Sequence, residues 1–362
     1  MSQGADRNKW AIRWSRRNLN IPIKFSTRRG SLSGLIFPAV AFLNFILSWG
    51  GAFPSSLVES WYARGAFPVV SSIAARFADA FAFSWLDVAL ILGVIGLLLS
   101  LRARRYLLLA NLVAVVYLLF FWTWGLNYHR QALASKLPHD STLGSPEAIQ
   151  DFARRAALEI NLVYAERQSQ VHNEDLIVAE VHARVGRVMA VVDGLEWRAP
   201  SRIKTSWIAN AWFHAAGIDG VFNPFGQEPI ISNTLLDVER PFVIAHELAH
   251  VRGYPDEGDA NLMALFATVM SSDRMLQYSG WLNLWLYLRT RELDSLLDPG
   301  PRQDLQRIFE RAKSEQIPWI SHIQTVMLDL YLRSNSVEEG VRSYSRVVTL
   351  AVETEPYWNQ FR

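Results

Sequence analysis

Hydrophobic and polar positions divide the chain into two regimes. In the first, apolar residues run on without interruption. No charge falls between Gly30 and Val58, and the centre of that run reads LSGLIFPAVAFLNFILSWGGAFP, Leu32 to Pro54. A second run, FSWLDVALILGVIGLLLSL, extends from Phe83 to Leu101 with Asp87 near one end. A third, YLLLANLVAVVYLLFFWTWGLNY, covers Tyr106 to Tyr128 without a charge. Each is long enough to cross about 30 Å of hydrocarbon as a helix. The pattern predicts three N-terminal transmembrane helices rather than buried helices of a soluble core.

Basic residues orient these runs. Residues 1–30 carry Arg7, Lys9, Arg13, Arg16, Arg17, Lys24, Arg28 and Arg29 against Asp6, and the link between the second and third runs is RARR. The positive-inside rule places both in the cytoplasm and everything after Tyr128 outside it. Trp122, Trp124 and Tyr128 fit an aromatic belt at the outer end of the third run. The loop at about 51–84, with WYARGAFPVVSSIAARFADAFAFS, is weakly amphipathic and reads either as an interfacial helix or as an ordered loop. The apolar run starts too late, and lacks the small-residue site, for a cleavable signal peptide.

After Arg130 charges return with helical periodicity. SPEAIQDFARRAALEINLVYAERQ begins with a Ser cap and Pro at the first helical position, and a second helix starts at about Asp175. From Pro200 to Leu236, SRIKTSWIANAWF, GIDGVFNPFG and EPIISNTLL are rich in β-branched and aromatic residues and broken by Gly, Pro and Asn; they predict two to four short strands. Helices resume at Val238, broken at Pro255, Pro299–Pro301 and Pro318. The domains expected are a basic cytoplasmic segment 1–30, a three-helix anchor 31–128 and an extracytoplasmic domain 129–362.

Composition narrows the chemistry. The chain has 362 residues, enough for an anchor and one domain, and a net charge of +2, too small to suggest nucleic acid. It has no cysteine. That excludes disulfides, thiol nucleophiles and Cys-based zinc sites, so any metal must be held by His, Asp and Glu.

Such residues cluster in VIAHELAHVRGYPDEGDANL, Val243 to Leu262. PFVIAHELAHVRG predicts a helix from about Pro241 to Arg252, with Gly253 as its C-cap. His246 and His250, four apart, then share one face and can reach a single Zn2+ ion. Glu247 lies beside them as the general base for a zinc-bound water. A third protein ligand is required, and three acids compete. Asp256 gives HExxHxxGxxD; Glu257 gives a ligand at the start of the next helix, in ExxAN; Asp259 binds if Glu257 only caps. For Glu257, small Ala260 would permit close helix approach and Asn261, one turn on, could steady a ligand. Tyr254 and Tyr278 are phenols able to donate to an oxyanion. GQEPIISN, before the motif, is expected as an edge strand for an extended substrate.

Beyond HELAH, the stretches WGLNYHR, GIDGVFNPFGQEPIISN, SSDRMLQYSGWLNLWLYL and GVRSYSRVVTL resemble a bacterial family of unknown function. Its members carry three N-terminal membrane helices and a HELAHQRG-type motif followed by EDEANF. ExxAN also resembles the third-ligand helix of gluzincin metallopeptidases, and that resemblance favours Glu257 over Asp256 and Asp259 as the third ligand. The resemblance implies a membrane-anchored zincin-like protein, with His246, Glu247 and His250 on the motif and Glu257 on the first acid of EDEAN. The chain departs from that pattern at Gly258 and Asp259.

The expected fold is a mainly α membrane protein, with a transmembrane anchor and an extracytoplasmic α+β zincin-like domain that is helical with a small sheet. The expected function is that of a zinc-dependent metallopeptidase in the bacterial inner membrane, its partners the lipid bilayer and a peptide or protein substrate of the cell envelope. The alternative is a non-catalytic zinc-binding scaffold. An intramembrane protease is excluded by the motif helix, whose apolar stretch between Arg240 and Arg252 is too short to span.

Overall fold

The computed structural model describes residues 32–167, 173–195, 201–335, 337, 340 and 346–362. The basic segment 1–30 and part of GVRSYSRVVTL lie outside the described residues.

The first apolar run folds as a 3-10 turn, Leu32–Leu35, followed by helix α1, Ile36–Trp49. Gly50 and Gly51, the latter at φ +72°, end it. Ser55–Leu57 and a π-helical stretch, Val58–Ala66, lead into α2, Phe67–Asp79. The second and third runs form α3, Trp85–Arg102, and α4, Tyr106–Thr123.

Of the described helices, two, not the three expected, are long and apolar enough to cross a membrane: α3 and α4, 18 residues each. The tight turn at Leu32–Leu35 and the glycines after Trp49 hold α1 to 14 residues. Only 11% of α3 and of α4 is buried, whereas a core helix of a soluble protein would be mostly covered. Nevertheless α1 lies along α4. Asn111 Nδ2 donates to Gly34 O at 2.7 Å, Asn44 Nδ2 to the Tyr117 hydroxyl at 3.1 Å, and Ser48 Oγ pairs with His129 Nε2 at 2.8 Å.

The rest is mainly helical. Helix α5, Pro146–Arg167, begins where Ser145 Oγ accepts from Ala148 N, and α6, Glu174–Asp193, is capped by Asn173. SRIKTSWIANAWF is not a strand over most of its length. Ser206 Oγ accepts from Ala209 N and starts a short helix, α7, Ala209–Ala216. Two strands follow, β1, Gly220–Asn223, and β2, Glu228–Ile231, paired antiparallel with Gly220 opposite Ile231. Lys204 adds one parallel bridge to Ile230.

The motif helix α8, Arg240–Val251, and its successor α9, Glu257–Val269, pack on each other at the centre of the core. Helix α10, Arg274–Leu288, and helix α6 enclose them; α10 is apolar around most of its circumference, as a buried helix must be. Among the described residues a short helical turn, Arg291–Asp294, precedes three longer helices, α11, Pro299–Glu315, α12, Pro318–Ser334, and α13, Arg346–Thr354, and a 3-10 helix, Glu355–Phe361, follows them. Pro299 and Pro318 stand at first helical positions, where a missing N–H costs nothing.

Candidate metal centre

Helix α8 carries His246 and His250 toward one point because residues four apart share a face. Gly253, at φ +81°, then reverses the chain. A side chain there would also collide, since a Cβ would fall 2.7 Å from Phe67 and 2.9 Å from Asn127 Oδ1. The reversal delivers Asp256 as the N-cap of α9, its carboxylate accepting from Asp259 N at 3.0 Å. Glu257, the first residue of α9, is thereby aimed back at the two imidazoles.

His246 Nε2 and His250 Nε2 lie 3.1 Å apart, and Glu257 Oε2 is 3.1 Å from the first and 3.4 Å from the second. The other nitrogen of each ring is taken. His250 Nδ1 is 2.7 Å from Tyr254 O, and His246 Nδ1 is 2.8 Å from Asn261 Oδ1. A backbone carbonyl only accepts, so His250 Nδ1 carries the hydrogen; Asn261, whose amide also bonds Tyr287, places its oxygen to do the same for His246. Both Nε2 atoms of the neutral rings are then lone-pair acceptors, facing each other and a carboxylate. With both rings neutral, three acceptors would converge with no donor between them.

A metal ion or a proton could resolve that arrangement. Two nitrogens at about 2.0–2.1 Å from one zinc ion at a tetrahedral angle are about 3.3 Å apart, close to the spacing of this pair. One donor atom from each of His246, His250 and Glu257 lies within 4.8 Å of the others, so the group could hold a metal ion. Without a metal a proton takes that role. Burial opposes charging His250, but Glu257 outweighs it and raises the imidazole to about 9. Burial likewise opposes the Glu257 charge, and the two histidines hold that carboxylate far below the usual range.

Glu247 projects from α8 beside this cluster and is 3% exposed. Its Oε2 has no hydrogen-bond partner among the described residues. Burial pushes its carboxyl up to about 7, the two histidines partly countering it. Gly220 of β1 makes room for it, because a Cβ there would stand 2.4 Å from Glu247 Oε1. All these groups line one cavity of about 570 Å³, walled by β1, α8, α12 and the segment after α4.

The other acids and phenols singled out in the sequence go elsewhere. Asp256 pairs with Arg346 at 2.6 Å. Asp259 accepts from Leu133 N at 2.9 Å and also meets Arg346. The Tyr254 hydroxyl donates to Asp193, and that of Tyr278 to Asp304. Both rings are buried away from the cavity, whose phenols are instead Tyr128, Tyr287 and Tyr331. GQEPIISN is not the edge strand. β2 is buried at every position and occupied on both sides, by β1 and by Lys204, whose N donates to Pro229 O while Ile231 N donates to Lys204 O. The open edge belongs to β1.

Sequence reasoning missed Gly220, Tyr287 and the role of WGLNYHR. Trp124 Nε1 donates to His250 O at 3.1 Å, and Arg130 donates to Gly253 O at 2.9 Å, so this stretch grips the motif from behind. Arg130 also joins a closed ionic cluster with Glu59, Asp193 and Lys136. Burial works against both carboxylates there, but the two cations outweigh it and hold Glu59 and Asp193 below the ordinary range.

Fold and site together define a mainly helical protein with two helices of membrane-crossing length and a buried His–His–Glu group that could bind a metal. The chain belongs to the family described as protein of unknown function, DUF3810, which it matches over residues 62–352. No curated protein and no solved structure matches it.

Proposed function

We propose that the protein is a membrane-anchored zinc metallopeptidase. The observation that carries this reading is the convergence of three acceptor atoms, His246 Nε2, His250 Nε2 and Glu257 Oε2, beside a buried carboxylate with an unpartnered oxygen. Zinc bound there would supply a Lewis acid and a water acidified toward neutral pH. Glu247, raised to about 7, is poised to accept a proton on Oε2 and to return it to a leaving amine. A purely structural site needs no such base. Asn261 and the Tyr254 carbonyl fix the ring orientations of the two histidines. Tyr287, which is hydrogen-bonded to Asn261, lines the cavity as an oxyanion donor.

The open edge of β1 suits a peptide. In an antiparallel ladder, alternate residues bond outward. Pro229 and Ile231 turn their groups to Lys204, so Phe222 and Gly220, opposite them, point theirs to the open side. An extended substrate strand would pair there, beside Glu247.

For the anchor, α1 serves with α3 and α4 as a third crossing. Its helix contributes about 21 Å and the 3-10 turn about 8 Å, matching a hydrocarbon core of about 30 Å. With the basic link after α3 in the cytoplasm, the cavity lies outside it, and a cell-envelope or exported polypeptide is the substrate.

Elemental analysis of the purified full-length protein tests the reading. Wild type and Asp259→Asn are expected to carry about one zinc per chain, and Glu257→Ala to lose it. No stoichiometric metal in wild type, even after zinc is supplied, would leave α8 a packed helix and end the proposal.

A further inference from the structure

Helix α12 has two unlike faces. Ser321, Gln324, Thr325, Leu328 and Tyr331 turn toward the cavity beside the histidines. On the opposite side Trp319, Ile323, Val326, Met327 and Leu330 form a stripe within about 100° of arc at helical spacing. These five are 45–65% exposed, and only Leu332 of the whole helix is buried. Among the described residues nothing covers the stripe, and it contains no charge.

Both ends of α12 are fastened to the outer ends of the candidate spans. At its C-terminal end the Tyr331 ring packs 6.5 Å from Phe120, one turn inside the end of α4, and its hydroxyl bonds that of Tyr128 at 3.1 Å. At the other end Ile317 N donates to Ala215 O of α7. The backbone preceding α7 is tied to Asp87, near the start of α3, through Trp207 N at 2.9 Å. Two further bare apolar patches hang from the same level. Trp207 is 87% exposed. On α2, Val69, Ile73 and Phe77 are about 60% exposed at a spacing of four, and Phe77 stacks on Trp85, the first residue of α3.

We infer that α12 docks on the lipid bilayer, its apolar stripe set in the outer headgroup boundary, so that the membrane itself supports one wall of the cavity. Both ends of α12 are tied to the outer ends of α3 and α4, where apolar spans would meet the headgroups, and the stripe carries no charge, which is why the occupant is lipid and not a second protein. An in-plane amphipathic helix buries its apolar face about 5–10 Å into that boundary. The site then opens at the membrane surface, and the substrate it takes is a polypeptide segment adjoining the bilayer. This inference rests on the reading of α3 and α4 as membrane spans.

The absence of cysteine makes the test direct, since each introduced thiol is unique. Full-length protein carrying Met327→Cys, Leu98→Cys or Leu158→Cys is nitroxide-labelled and reconstituted in phosphatidylcholine–phosphatidylglycerol vesicles. Collision with oxygen, which partitions into lipid, is compared with collision with a water-soluble nickel chelate. Leu98, on α3, reports the span; Leu158, equally exposed on α5, reports water. The oxygen-to-nickel ratio at Met327 is expected to be several-fold above that at Leu158. A lipid-like Leu98 with a water-like Met327 overturns the docking while leaving the spans intact. A water-like Leu98 overturns the spans and the docking together. Spin–spin broadening at Met327 would assign the stripe to a second copy of the chain and likewise overturn it.

Discussion

Two clusters of buried polar side chains flank the end of α8, and they obey opposite rules. Behind it, Glu59, Asp193, Arg130 and Lys136 form a closed set in which every ion pair is 3.1 Å or shorter and the charges sum to zero. In front, His246 Nε2, His250 Nε2 and Glu257 Oε2 crowd together beside Glu247, one of whose carboxylate oxygens has no hydrogen-bond partner among the described residues. The first is a fastening: it joins the segment after α1 to the ends of α6 and α8, and Arg130 closes on the carbonyl of Gly253. The second is a group that could hold a metal ion. Equal burial therefore carries different meanings, and hydrogen-bond satisfaction distinguishes them.

The largest effects should separate the two clusters cleanly. Arg130→Met leaves two buried carboxylates facing Lys136 alone and should cost about 3–5 kcal/mol of stability. Glu247→Gln removes no partner, so its thermal midpoint should match or exceed that of wild type. Its turnover of a peptide-library substrate should fall about 10²- to 10⁴-fold, with metal content unchanged. A pair of melting curves and rate measurements decides the matter. If Glu247→Gln melts like Arg130→Met, the front cluster is a fastening as well.

A smaller change probes the front cluster from the strand side. In Gly220→Ala the added methyl must displace the Glu247 carboxylate, since it would lie 2.4 Å from Oε1 and 2.9 Å from Cγ. Overpacking of this kind costs about 1–3 kcal/mol. If Glu247 acts at the reacting centre, kcat should drop tenfold or more while zinc stays bound and KM changes little. Unaltered kcat would separate Glu247 from the chemistry.

The sequence disclosed these regions unequally, for physical reasons. The group His246, His250 and Glu257 is supplied by one helix and the start of the next, so its coming together is local and legible from spacing. Choosing Glu257 over Asp259 was harder, since both open the same helix; only the reversal at Gly253 and the Asp256 cap aim the one inward and the other toward Leu133. Gly220 and Tyr287 come from a distant strand and from a helix without a polar face, and no periodicity marks them. The rear cluster joins residues 59, 130, 136 and 193, which no spacing rule connects. The first apolar run reads as one long α-helix because composition does not show where a 3-10 turn and two glycines hold its α-helical part to 14 residues.

Acid titration offers the finest test, because a half-buried group outside both clusters responds to pH. His182 on α6 is pushed down to about 4, by burial first and then by the neighbouring Arg252, with a backbone hydrogen bond to Ser201 partly opposing. Its folded value lies below the ordinary 6.5, so the unfolded chain binds a proton that the folded chain refuses. The stability this group confers is complete above about pH 6.5 and is lost as pH falls toward 4. Partial exposure reduces the contribution to about 1–2 kcal/mol. If the proposed metal is bound, its release as the ligands take up protons would also lower stability on acidification, over an overlapping range. Thermal midpoints from pH 8 to 4, with zinc content followed in parallel, separate the two in wild type and His182→Gln. The variant should lose part of the acid slope and keep the pH of metal release. An identical slope in both proteins would place the whole acid response in the front cluster and leave His182 without a role in it.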